Sequence, residues 1–341
     1  MGWKIYLPDG LRPEGRNFLQ NQGHELIDGN GEDMLQMMRE VRDADAIITA
    51  FSAITPEIMR AGKKLKAIGT MGSGYATVDH QMAASLGIRV VSAPEASVPS
   101  TVEMTIFYML YLSRRMTAVR RDYLDDFNKA RENEDKQELW NKTVGIVGCG
   151  RIGSRVAKIC KNAFHMKVLA YDPYKPASEF PLGVVVERSL DHLLSESDIV
   201  SLHMFPRIGS EYQFGMEHFR KMKDTAYFIN TVNARAIREK DLYEACRDGV
   251  IAGAALDGLS RMPFDQEDPF LYLENVLITP HMSTMTREAR TRAALQAAMG
   301  IQELYEGKQP TWEVREPDWK KMTVYHDTGI VTRRGIDDMP E

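Results

Sequence analysis

The chain has 341 residues, 43% hydrophobic and 27% charged, which is long enough for two domains and has the balance of a globular rather than a disordered protein. A formal net charge of −5, with basic runs no longer than pairs such as Arg114-Arg115 and Arg120-Arg121, argues against a nucleic-acid surface and for small-molecule partners. The longest apolar run, Met104 to Leu112, is too short for a bilayer, no signal-peptide core precedes Ile5, and Cys149, Cys160 and Cys246 have neither disulfide nor metal spacing, so we expect a cytoplasmic protein with reduced thiols, no membrane partner and no metal.

Residues 1 to about 97 alternate strand and helix signals. Strands are expected at Lys4–Pro8, Glu25–Ile27, Ala46–Thr49, Leu65–Gly69 and Arg89–Val91, with helices ending near Gly23, over Asp33–Arg42, from Thr55 and near His80–Leu86. Short connections without hairpin dipeptides imply an α/β fold, a doubly wound parallel sheet with helices on both faces. Gly72, Ser73 and Gly74 follow the fourth strand at the carboxyl end, where such sheets bind ligands; a plain turn is the equal alternative. From Thr101 to Arg121 one long helix is expected, apolar almost all round and therefore buried, whether between domains or in a subunit interface. The charged stretch Asp122–Lys136 reads as solvated helix or loop.

The stretch from Val144 to Pro173 reads as strand, glycine turn, helix and strand, and organises the remainder. Gly148 turns tightly out of the strand, Gly150 lets backbone approach a pyrophosphate, and Gly153 lets the helix pack close to the strand. Arg151 and Ile152 open that helix, whose first amides face the phosphates. Ile152, Val156, Ile159, Cys160 and Ala163 recur at helical spacing and give it one face for a sheet. Asp172 stands 19 residues after Gly153 at a strand end, placed to accept ribose hydroxyls of NAD and to repel the 2′-phosphate of NADP, with Lys175 the only cation nearby. Further strands at Val184–Val186, Ile199–Met204, Ala226–Asn230, Ile251–Asp257 and Val276–Ile278 complete a second parallel sheet. Helices are expected near Ser189–Glu196, at Met216–Lys223, at Arg238–Arg247 and, last and longest, at about Thr286–Glu306, followed by a polar tail with few helix signals.

Taken together these stretches resemble the NAD-dependent D-isomer-specific 2-hydroxyacid dehydrogenase family up to about residue 306. The resemblance is carried by Gly148 to Gly153 with Tyr171-Asp172-Pro173, Ser201-Leu202-His203-Met204, Phe228-Ile229-Asn230-Thr231, Ala252 to Asp257 and Leu277 to Met282. It implies two doubly wound parallel-sheet domains: a Rossmann NAD domain at 99–286 inserted into a flavodoxin-like substrate domain at 1–98 and 287–320, with a tail at 321–341. It further implies a hinge near Pro99 and Thr286, a cleft between the domains, and a homodimer. By the resemblance Pro173, His203, Met204, Thr231, Val232 and Asp257 join the glycine turn around the coenzyme, Asp257 facing the nicotinamide carboxamide. Gly72 to Gly74 would offer amides to a substrate carboxylate. His281 is the acid/base, a task that suits an imidazole because it titrates near neutrality.

Two positions depart from the family pattern. The usual Arg that holds the substrate acid is read as Asn233, with an Arg two residues later at Arg235, and the carboxylate that pairs with the His is read as Met262, with Asp265 and Glu267 close in sequence. The leading reading is an NAD-linked oxidoreductase moving a hydride between nicotinamide and a small 2-hydroxy or 2-oxo acid. Two alternatives stand beside it: an NAD enzyme with a substrate lacking that acid pair, and an NAD(H) sensor that has lost turnover.

Overall fold

The computed structural model describes residues 2–72, 77–132, 134–204, 214–260 and 267–314, with the two short strands Val324–Tyr325 and Val331–Thr332 paired antiparallel beyond them. The chain forms two compact units, one from Met1–Pro99 and the segment beginning at Thr284, the other from Ser100–Ser283.

The first unit alternates strand and helix: β1 (Lys4–Leu7), α1 (Pro13–Asn21), β2 (Glu25–Asp28), α2 (Met34–Glu40), β3 (Ala46–Thr49), α3 (Pro56–Ala61), β4 (Ala67–Thr70), α4 (His80–Ser85) and β5 (Arg89–Val91). Its five strands lie in the order β2-β1-β3-β4-β5 and every pair is parallel. That is the flavodoxin-like doubly wound order. Helix starts follow local chemistry: Pro13 opens α1, while Asp33 and Asp79 accept the amides of Gln36 and Met82, both at 2.9 Å.

The second unit begins with three helices, α5 (Val98–Ser113), α6 (Met116–Asp125) and α7 (Phe127–Glu132). There follow β6 (Thr143–Val147), α8 (Arg151–Phe164), β7 (Lys167–Tyr171), β8 (Val185–Glu187), α9 (Leu190–Glu196), β9 (Ile199–Leu202), α10 (Met216–Phe219), β10 (Tyr227–Asn230), α11 (Glu239–Arg247), β11 (Gly253–Asp257) and β12 (Val276–Thr279). The strand order is β8-β7-β6-β9-β10-β11-β12, again all parallel. The reversal beside β6 is the switch point at which open α/β sheets bind ligands. Every residue of β9, β10 and β11 is buried, as expected of a sheet covered on both faces.

The last helix, α12 (Arg287–Tyr305), returns to the first unit. Thr286 caps it by accepting the Ala289 amide at 3.1 Å, and Ala297, Ala298 and Ile301 enter the core beside Ile5, Leu7, Ile48 and Val91. Beyond it the chain pairs with β5: the Ser92 amide donates to the Trp312 carbonyl at 3.0 Å and the Val314 amide to the Val90 carbonyl at 2.8 Å.

Three expectations need correction. The helix expected at 101–121 is two helices, because Arg115 adopts a left-handed conformation (φ 49°) that ends one and starts the next. Nor is the first of these buried all round, since Phe107 and Leu110 are exposed. Asp122, expected in a solvated segment, is buried at 3% exposure against Arg121 and Lys129. Among the described residues no helix is long and apolar enough to cross a membrane.

Candidate active site

Parallel register brings the site together. Val147 stands opposite Tyr171 and Leu202, Leu202 opposite Asn230, Asn230 opposite Leu256, and Asp257 opposite Thr279. The next residue along each strand therefore emerges at one level of the carboxyl edge: Gly148, Asp172, His203, Thr231 and Asp257, with Thr279 beside the last. Residues scattered over 130 positions become neighbours because strands in a parallel sheet all end on the same side.

At the centre of this edge the chain turns out of β6 at Gly148, whose φ of +92° excludes ordinary side chains; a Cβ there would lie 2.5 Å from the Met204 amide nitrogen. His203 and Met204 are thus packed directly over the turn. Gly150 caps α8 and has the opposite surroundings, with nothing within 4 Å of a Cβ placed on it. Space is open over the first amides of a 14-residue helix, where Arg151 and Ile152 stand and where the helix dipole favours an anion. A Cβ on Gly153 would come 2.1 Å from the Gly148 carbonyl oxygen, so the helix crosses the strand at a distance only glycine permits. These three environments fit a dinucleotide pyrophosphate.

Asp172 follows β7 and fixes the turn. Its Oδ2 accepts the Cys149 amide at 3.0 Å and its Oδ1 the Tyr174 amide at 3.1 Å, leaving a lone pair on each oxygen for ribose hydroxyls. Lys175 donates to the Cys149 carbonyl at 2.8 Å. A small pocket beside the carboxylate is lined by Tyr171, Asp172, Pro173, Lys175, Glu187 and Arg188. Lys175 is therefore not the only cation near Asp172; Arg188 arrives from the loop after β8, which no spacing in the sequence indicated.

On the other side of β6, His203 Nε2 is 2.9 Å from the Ser201 hydroxyl, while its Nδ1 is shut from solvent and has no partner among the described residues. Burial pushes its pKa down to about 3, so the ring is neutral. The Thr231 hydroxyl lies 3.2 Å from that of Thr105 on α5. Asn230 shapes the loop after β10, accepting the Val232 amide and donating to the Asn233 carbonyl, both at 2.9 Å. Asn233 accepts the Arg235 amide at 2.9 Å and so caps the single turn Ala234–Ala236, on which Arg235 is exposed.

At the far end Asp257 is buried at 7% exposure. Its Oδ1 accepts from the Thr279 hydroxyl and the Met282 amide, both at 2.7 Å, and its Oδ2 from the Ser283 amide at 2.9 Å. These bonds close a loop around His281, which is exposed, adopts φ +52° and donates its amide to the Thr279 carbonyl at 2.9 Å. The sequence reading missed Tyr108 and Thr279 beneath this loop. Thr101, Thr105 and Tyr108 sit at i, i+4 and i+7 on the inner side of α5, a polar row in an apolar helix that would have marked them. Ser73, Gly74, Met262 and Asp265 lie outside the described residues; Gly72 is described and its carbonyl accepts the Ala93 amide at 2.8 Å.

Sheet order, glycine turn and strand-end acid together define a dinucleotide-binding α/β protein. The family description "D-isomer specific 2-hydroxyacid dehydrogenase, NAD binding domain" matches residues 106–283. The chain is 34% identical over 308 residues to a D-3-phosphoglycerate dehydrogenase of Archaeoglobus fulgidus, a match covering 89% of this chain and 58% of that protein, so the chain spans little more than half the length of that relative. It is 32% identical over 297 residues to a hydroxypyruvate reductase of Thermotoga maritima, covering 86% and 95% of the two chains. A solved structure from Thermus thermophilus superposes with a TM-score of 0.81 at 30% identity, over 92% of this chain and 100% of that one. The chain belongs to the D-isomer-specific 2-hydroxyacid dehydrogenase family, and its nucleotide site is an NAD site.

Proposed function

We propose that the protein transfers a hydride between NAD and a small 2-hydroxy or 2-oxo acid, with His281 as the acid/base. The observation that carries this reading is the single carboxyl edge on which the pyrophosphate turn, the ribose acid Asp172 and the His281 loop all emerge in register. Gly148, Gly150, Arg151, Ile152 and Gly153 would cradle the pyrophosphate, Asp172 and Pro173 the adenosine ribose, and His203, Met204, Thr231, Val232 and Asp257 the nicotinamide half. Asp257 keeps one lone pair on Oδ2 for the carboxamide. The hydride is what NAD supplies or accepts when bound. His281 gives a proton to the carbonyl oxygen during reduction and takes it back during oxidation.

Arg235 is the proposed partner of the substrate carboxylate. Asn233 spends its carbonyl oxygen on the cap that orients the turn carrying Arg235, so the two residues divide a task that falls to one arginine in the family pattern. The segments Met1–Pro99 and Thr284–Asp318 are proposed as the substrate domain, Ser100–Ser283 as the NAD domain. The exposed apolar residues of α5 to α7 support a homodimer, and three buried free thiols suit the cytoplasm.

The test is NADH oxidation against glyoxylate, hydroxypyruvate, pyruvate and bulkier 2-oxo acids. His281→Gln should lower kcat about 10²–10⁴-fold with NADH binding intact, and Arg235→Gln should cost about 1.5–3 kcal/mol of substrate binding, read in KM. No turnover with any acid alongside tight NADH binding would overturn the reading.

A further inference from the structure

From the chain Tyr108–Thr279–Asp257 we infer that Tyr108, on α5, is a positioning residue that sets the loop carrying His281, an inference that rests on the proposed role of His281. Tyr108 is fully buried, and its hydroxyl is hydrogen-bonded to that of Thr279. Thr279 has one hydroxyl proton and gives it to Asp257, which as a carboxylate can only accept. Toward Tyr108, Thr279 therefore has only a lone pair to offer, and the phenol must be the donor. The direction of the chain is fixed: Tyr108 donates to Thr279, Thr279 to Asp257, and Asp257 holds the amides of Met282 and Ser283 on either oxygen.

The phenol thus does more than fill space. By occupying the accepting side of Thr279 it leaves the threonine proton to Asp257; the Leu256 carbonyl, 3.4 Å from the phenol oxygen, is the more distant of the two acceptors within the phenol's own reach. Burial raises the phenol pKa; the Thr279 bond opposes this and the Asp257 charge adds to it, so the group stays protonated and able to donate at any physiological pH. His281 sits inside the loop so held, in a left-handed conformation that is unfavourable for a non-glycine residue and persists only where surrounding bonds enforce it. Removing the donor at the base of the chain frees the threonine rotor and weakens the carboxylate that closes the loop.

Tyr108→Phe removes the donor with almost no change in volume, and Thr279→Val removes the relay; Thr279→Ser keeps the hydroxyl. Amide hydrogen exchange at Met282 and Ser283 reads the loop without reference to turnover. In Tyr108→Phe both amides should exchange roughly tenfold faster while the amides of β9 and β10 do not change. With the 2-oxo acid turned over fastest, kcat should fall about 10- to 100-fold in Tyr108→Phe and in Thr279→Val. Thr279→Ser should restore it, and the double variant should be no worse than Thr279→Val. Unchanged exchange at Met282 and Ser283, or faster exchange spread evenly through the sheet, would overturn the inference. If His281→Gln turns over like wild type, the acid/base reading fails instead, and the exchange data still decide the part played by Tyr108.

Discussion

His203 and Asp172 flank the same glycine turn and show how single side chains set the chemistry of the edge. His203 has a pKa of about 3 in the fold because burial disfavours the imidazolium, whereas in the unfolded chain it titrates near 6.5. Above pH 6.5 both states are neutral there and the group is without effect. As pH falls below 6.5 the unfolded chain takes up a proton that the native ring refuses, so stability is lost with decreasing pH down to about 3, by up to about 2 kcal/mol between pH 6.5 and 5. Urea unfolding at pH 7.5 and 5.0 should show this loss in wild type and a smaller one in His203→Gln; equal losses would exclude His203 as the group. Asp172 is proposed to work through the ligand. Its two free lone pairs suit the ribose hydroxyls, while a 2′-phosphate dianion would meet the carboxylate, with Arg188 and an already engaged Lys175 as partial compensation. NADH should therefore bind more tightly than NADPH, and Asp172→Ala should narrow the gap; equal dissociation constants in wild type would refute the role.

At the scale of elements, the turn between β6 and α8 holds within six residues one glycine closed in by backbone and one with open space around it. A Cβ on Gly153 strikes backbone that cannot swing aside, so Gly153→Ala should lower Tm, costing about 1–3 kcal/mol. A Cβ on Gly150 meets nothing in the free protein. Gly150→Ala should then unfold at nearly the wild-type temperature and still lose at least about tenfold in NADH affinity, since the methyl enters the space a pyrophosphate needs. If calorimetry and NADH titration show both variants weakened in the same measure, the assignment of the two glycines fails. The strand, glycine turn and helix were legible in the sequence because a glycine turn between a strand and an amphipathic helix is local chemistry. The strands were legible for the same reason, as short β-branched runs bounded by turn residues. What lay beyond reading depends on distant partners. The break at Arg115 places an ordinary residue in a left-handed conformation that no local signal marks. The bond between Tyr108 and Thr279 joins residues 171 positions apart and exists only once α5 has packed beside the sheet. Arg188 reaches the Asp172 pocket only because β8 pairs with β7.

For the molecule as a whole, the outstanding feature of the NAD unit's surface is apolar. α5 turns Thr105, Tyr108 and Met109 inward and leaves Phe107 and Leu110 exposed; on α6 and α7 Met116, Tyr123, Leu124 and Phe127 are exposed too, Leu124 at 79%. Scattered exposed apolar residues are ordinary, but here the rings of Phe107 and Tyr111 lie 5.6 Å apart and those of Tyr123 and Phe127 6.1 Å apart, so the side chains form clusters. Water contact over such clusters is unfavourable by about 25 cal/mol for each Å² that a partner would cover. An isologous contact through α5 to α7 would cover them on both copies at once, which is why a second copy of this chain is the proposed partner. Light scattering should accordingly give a mass near twice 38.7 kDa for wild type. Leu124→Asp would put a charge on each copy within the proposed contact, where burying it is costly, and should shift the mass toward that of the monomer. Because Leu124 is almost wholly exposed within one chain, the substitution leaves the core untouched, and the variant should keep its NADH affinity. A wild type that is monomeric at micromolar concentration, or a Leu124→Asp protein that remains fully dimeric, would remove these helices as the interface.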